Sequence, residues 1–128
     1  MPRVLVVEDD LAVGEALAGA LDRENIQTTC VAGGRAALAE LCRATAEADA
    51  YDAIVLDICM PDINGWQVLE AVKSNPLWQH TMIVAISGFV NGPNDVARVC
   101  RYDGVYVEKK GDFLQVVRAA LARLVSAA

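Results

Sequence analysis

The feature that most constrains this chain is a fivefold alternation of short apolar runs with segments of helical period. Val4-Leu5-Val6-Val7 is a continuous aliphatic run, as a strand buried on both faces requires. Residues 11–24 then place Val13, Leu17, Ala20 and Leu21 on one helical face. A second strand is expected over 26–31. Gln27, Thr28 and Thr29 make it more polar than the first, which suits a sheet edge. An Ala-rich helix over 35–48 leads to a third buried strand, Ile54-Val55-Leu56, ending at Asp57. Residues 65–74 make a third helix with Leu69 and Val72 inward, and residues 82–86 a fourth strand ending at Ser87. An Asn91-Gly92-Pro93 turn opens a short fourth helix, since proline suits a first helical turn. Val105-Tyr106-Val107 is the fifth strand, and Phe113, Val117, Leu121 and Leu124 stripe a closing helix.

Strict β-α alternation predicts an α/β fold: a parallel five-stranded sheet with helices on both faces and right-handed crossovers. A chain of 128 residues with 55% hydrophobic and 22% charged residues has the composition of a compact protein. Residues 1–128 are therefore expected to form a single domain. In such sheets ligands bind at the carboxyl ends of the strands, near the switch in strand order.

Those ends carry the chemistry. Glu8, Asp9 and Asp10 follow the first strand, Asp57 the third, Ser87 the fourth and Lys109 the fifth. Clustered carboxylates repel and raise one another's pKa. A divalent metal relieves that repulsion, and an all-oxygen site favours Mg²⁺ or Mn²⁺. Asp10 reads better as an N-cap of the first helix than as a ligand.

Asp57-Ile58-Cys59-Met60-Pro61-Asp62-Ile63-Asn64-Gly65 resembles the D-x-x-M-P-x-x-x-G signature of response-regulator receiver domains. Val6-Val7-Glu8-Asp9 resembles their first-strand acidic pair, Ser87-Gly88 their Thr/Ser-Ala/Gly pair, and Tyr106-Val107-Glu108-Lys109 their fifth-strand aromatic and lysine. The matches run in order along essentially the whole chain.

The resemblance implies a flavodoxin-like (βα)5 fold with strand order 2-1-3-4-5, of the chemotaxis-regulator type. It implies that Asp57 is the phosphoacceptor, fed by a sensor histidine kinase or a histidine phosphotransfer protein. Mg²⁺ would be held by Asp9, Asp57 and the Cys59 main-chain carbonyl, with Glu8 acting through water. Lys109, the Ser87 hydroxyl and the Gly88 N–H would neutralise the transferring oxygens. Ser87 and Tyr106 would be the switch pair, altering the face made by the fourth helix, fifth strand and fifth helix. That face would meet an effector or a second copy. The protein would promote only its own phosphorylation and dephosphorylation, standing alone or cut from a larger regulator or hybrid kinase.

Two departures stand out. Lys110 occupies the place where the family usually has proline, which makes it a rival of Lys109, although spacing from Tyr106 favours Lys109. Tyr102-Asp103-Gly104 replaces the usual Ala-Gly-Ala, so an atypical end to the fourth helix is expected. Cys59 and Phe89, two residues beyond Asp57 and Ser87, would flank the path of a hydrolytic water.

Other classes fit poorly. A haloacid-dehalogenase phosphatase needs a second aspartate where Cys59 stands, and a flavodoxin-like electron carrier would not tolerate Glu8-Asp9-Asp10 beside a phosphate. A formal net charge of −6 without a basic stripe argues against direct nucleic-acid binding. No apolar run spans a bilayer and no secretory segment opens the chain, so a cytoplasmic setting without membrane contact is expected. Cys30, Cys42, Cys59 and Cys100 follow no zinc spacing and are expected to be free and mostly buried. His80 is assigned to solvent, and Trp66 and Trp78 to packing.

Overall fold

The computed structural model describes residues 1–88 and 93–126. Five strands alternate with five helices: β1 (Arg3–Val7), α1 (Leu11–Asp22), β2 (Gln27–Val31), α2 (Gly34–Ala46), β3 (Ala53–Asp57), α3 (Gly65–Ser74), β4 (Met82–Ser87), α4 (Pro93–Cys100), β5 (Val105–Glu108) and α5 (Phe113–Ser126). The strands form one parallel sheet in the order β2-β1-β3-β4-β5, the flavodoxin-like arrangement. The polar β2 lies at an edge, as its threonines predict. The Asn91-Gly92 part of the expected turn lies outside the described residues.

The central strands are apolar without interruption because the pleat sends alternate residues to opposite faces and both faces are covered. Leu5 and Val7 of β1 join Ala37 and Leu41 of α2, Val68, Leu69 and Val72 of α3, and Val99 of α4. Val4 and Val6 turn the other way, to Leu17 and Leu21 of α1 and Val117 and Leu121 of α5. Each fully buried Leu or Ile contributes about 2 kcal/mol by leaving water.

The cysteines correct one expectation. All four are free, but all four are exposed rather than mostly buried. Each stands one position from an inward residue: Cys42 follows Leu41, Cys100 follows Val99, and Cys59 sits between Ile58 and Met60, all four neighbours being buried. Cys30 is on the edge strand, which has only one neighbour.

The end of α4 also departs from the usual pattern in a way the geometry explains. Asp103, not a glycine, takes the left-handed conformation at φ 58°. Gly104 is needed for space, because a Cβ there would lie 2.7 Å from Val99 Cγ1. The left-handed conformation and the need for a residue without a side chain thus fall on adjacent positions, Asp103 and Gly104.

The strand order reverses between β1 and β3, which pair directly while β2 lies outside β1. The carboxyl ends of those two strands therefore open onto a shared crevice. Glu8 and Asp57 stand at its lip.

Candidate functional site

Three carboxylates meet at this crevice. One oxygen from each of Glu8, Asp9 and Asp57 lies within 4.8 Å of the others. Asp57, the last residue of β3, is only 3% exposed, and Glu8 is 4% exposed, whereas Asp9 faces solvent. Asp57 Oδ1 accepts a hydrogen bond from Cys59 N at 3.0 Å, and Oδ2 accepts one from Lys109 Nζ at 3.3 Å. Glu8 Oε1 accepts from Lys109 Nζ at 2.9 Å and from Asp10 N at 3.1 Å. Glu8 Oε2 lies 2.8 Å from the same ammonium.

Lys109 reaches the cluster because its backbone N–H donates to Ser87 O at 2.8 Å, carrying β5's end alongside β4. Its neighbour does not compete. Lys110 turns outward, 77% exposed at its side chain, and pairs with Glu108 at 2.7 Å. No cis peptide occurs among the described residues.

Ser87 closes the other side of the crevice, 2% exposed, with its Oγ 3.7 Å from Cys59 Sγ. Gly88 follows in an exposed turn, where an added Cβ would meet nothing within 4 Å. Tyr106 is not in the cluster. It is half-buried on β5 opposite Ala85 and packs on the core that α2 and α3 share. Phe89 lies outside the described residues.

The loop from Asp57 to α3 is tightly wound. Gly65 N donates to Ile58 O at 2.9 Å. A Cβ on Gly65 would stand 2.5 Å from Ile58 Cα and 2.6 Å from Asp57 O, so only glycine closes this loop. Asn64 caps α3 through a capping box with Gln67, and Asp10 caps α1 by accepting from Ala12 N at 3.0 Å and Val13 N at 3.3 Å. His80 is exposed, and Trp66 and Trp78 are half-buried against the core, as expected.

The electrostatics follow from burial. Desolvation pushes the Glu8 carboxyl up to about 7 and raises that of Asp57. Burial alone would lower Lys109, but Glu8 and Asp57 outweigh it and hold the ammonium charged. With all three carboxylates ionised, the one ammonium would leave a net charge of −2, and it is this repulsion and burial that a divalent cation relieves. That charge and the all-oxygen donor set fit a divalent cation.

A pH dependence follows. A folded carboxyl with a raised pKa binds its proton more tightly than the unfolded one, so stability falls as pH rises from about 4.5 through about 7. Glu40 has the opposite sign. Hydrogen bonds from Arg43 and Tyr51 lower its carboxyl to about 2, so its contribution is lost as pH falls from about 4.5 toward 2. Without metal the protein is expected to melt highest near about pH 5. Thermal melts in EDTA across pH test this. Glu8→Gln should flatten the neutral limb, and an unchanged limb would show that Glu8 is not its source.

Two contacts escape a reading of the sequence. Asp10, the expected cap of α1, also holds Glu8 with its backbone N–H. Asp62 bonds to the start of α2, 28 residues earlier in the chain. The sequence signals are slight: a Gly33-Gly34 pair and an acid inside the motif.

With this geometry in view, the response regulator receiver domain model matches residues 4–120. The chain belongs to the response regulator receiver domain family. The receiver is 34% identical over 88 residues to the transcriptional regulatory protein TcrA of Mycobacterium tuberculosis, covering 69% of this chain and 33% of that protein. It thus spans about a third of that relative's length. Among solved structures it resembles the phosphorylated cyanobacterial phytochrome response regulator RcpA, at 25% identity and a TM-score of 0.85 over 99% of this chain and 96% of that one. The Mn²⁺-bound form of response regulator Rcp1 shares the fold, at 20% identity and a TM-score of 0.83 over 100% of this chain and 97% of that one. Receiver domains are signalling domains of two-component systems, and the acidic crevice is where a divalent metal fits.

Proposed function

We propose that this receiver accepts a phosphoryl group on Asp57 from a phosphohistidine, in a reaction that requires Mg²⁺. The observation that carries the reading is the placement of Asp57: a buried carboxylate beside Glu8 and Asp9 with Lys109 Nζ 3.3 Å from its oxygen. The donor is a sensor histidine kinase or a histidine phosphotransfer protein. An Asp57 oxygen forms the new bond to phosphorus as the bond to the donor imidazole breaks, and the departing imidazole takes up a proton.

Asp9 and Asp57 carboxylates and the Cys59 carbonyl would hold the metal, with Glu8 acting through water. Mn²⁺ is an acceptable substitute for the same donor set, and a Mn²⁺-bound form of Rcp1 supports that. When bound, the metal supplies positive charge to the oxygens of the transferring group. Lys109 serves a second oxygen, and the Ser87 hydroxyl with the Gly88 N–H serves the third. Positioning and charge are most of what phosphoryl transfer asks of a protein.

Phosphate on Asp57 draws Ser87 toward it, and Tyr106 turns into the space vacated. The α4-β5-α5 face changes in consequence and meets an effector or a second copy of the chain. Net charge −6 fits a protein partner better than nucleic acid. Among the described residues no helix is long and apolar enough to cross a membrane, which accords with work in the cytoplasm.

The test is incubation with phosphoramidate or acetyl phosphate, read by intact mass. One added phosphoryl group is expected with Mg²⁺ and none in EDTA. Equal labelling in EDTA would overturn the metal requirement, and no labelling under either condition would overturn the reading.

A further inference from the structure

The loop between β3 and α3 carries Asp57's neighbour Cys59 at its crest, with Ile58 and Met60 on either side buried in the core. Its base is closed by the Gly65 N to Ile58 O bond. On its outer side Asp62 ties it to α2. Asp62 Oδ1 accepts from Gly34 N at 3.2 Å, and Oδ2 accepts from Arg35 N at 3.2 Å.

The receiving helix is built for this contact. Its N-cap residue is Gly33, which offers no side-chain cap, so Asp62 satisfies first-turn N–H groups that α2 cannot satisfy for itself. The two glycines make room. A Cβ on Gly33 would lie 2.9 Å from Asp62 Oδ2, and one on Gly34 would lie 2.6 Å from Ile63 O. Backbone N–H groups of Arg35, Ile63 and Gly34 keep the Asp62 carboxyl below its usual range, so it stays ionised at neutral pH.

We infer that Asp62 is a positioning residue for the metal site: by capping α2 from the β3–α3 loop, it helps fix the main chain at Cys59, whose carbonyl would be a ligand of the cation. The inference rests on the functional reading above. Groups that hold a ligand in place without touching the metal typically change metal affinity by about 10- to 100-fold when removed. Asp62 acts through three residues of chain, which puts its effect at the lower end.

The experiment compares wild type, Asp62→Ala, Asp62→Asn and the double variant Asp62→Ala/Gly33→Asp. Each is titrated with Mg²⁺ by calorimetry and melted without metal. Gly33 has extended backbone at φ −169° and ψ 172°, so an aspartate there can cap α2 locally once Asp62 is gone. Asp62→Ala is expected to weaken Mg²⁺ binding by about 10-fold and Asp62→Asn to restore most of it. The double variant should melt like wild type and still bind Mg²⁺ weakly, because the helix is capped but the loop is untethered. Wild-type Mg²⁺ affinity in Asp62→Ala, or its full recovery in the double variant, would overturn the inference and leave Asp62 as a helix cap. A wild-type protein that takes no Mg²⁺ overturns the functional reading instead.

Discussion

Asp57→Asn is expected to take no phosphoryl group from phosphoramidate in the presence of Mg²⁺. An amide oxygen lacks the charge to attack phosphorus, and the neighbouring acids are poorly placed to substitute. Asp9 is exposed, and Glu8 is engaged at Oε1 by both Lys109 and Asp10 N. The substitution should not unfold the protein. Asparagine can still accept the Cys59 N–H that Asp57 Oδ1 accepts at 3.0 Å, and it removes one of three crowded negative charges. Without metal the variant should therefore melt no lower than wild type. Intact mass and a thermal melt check the two halves separately. Labelling equal to wild type would sink the role given to Asp57.

Lys109→Ala is expected to slow labelling by about 10²- to 10³-fold, the usual consequence of removing one donor aimed at developing charge. Its ammonium is 2.9 Å from Glu8 Oε1 and 3.3 Å from Asp57 Oδ2, beside the proposed acceptor oxygens. Lys110→Ala supplies the control. Its ion pair with Glu108 is on the surface, where such pairs contribute about 0–1 kcal/mol, and the labelling rate should stay within about twofold. Initial rates at saturating Mg²⁺ measure both. Equal losses in the two variants would remove Lys109 from its special position.

Much of this was legible in the residues. Val4-Leu5-Val6-Val7 and Ile54-Val55-Leu56 read as central strands because both faces of the sheet are covered, and the threonines of β2 read as an edge for the converse reason. Strand ends are local in sequence, so the positions of Glu8, Asp57, Ser87 and Lys109 came with them. What stayed hidden depends on contacts across the chain. Spacing from Tyr106 already favoured Lys109 over Lys110, but it did not show the bond from Lys109 N to Ser87 O that carries the end of β5 alongside β4. Asp62 capping α2 spans 28 residues and leaves no periodic trace. The cysteines misled because burial follows a residue's phase on its helix or strand, and Cys42 and Cys100 fall one step past the inward position.

The claim that Asp57 is the phosphoacceptor can be tested in the unmodified protein, where no substitution diverts the chemistry to another acid. Borohydride reduces an aspartyl phosphate to homoserine and leaves free carboxylates untouched. Wild-type protein labelled with phosphoramidate and Mg²⁺, then reduced, digested and sequenced by mass spectrometry, should carry homoserine at position 57 and unaltered Glu8 and Asp9. A reduced residue at position 8 or 9 with Asp57 intact would contradict the account.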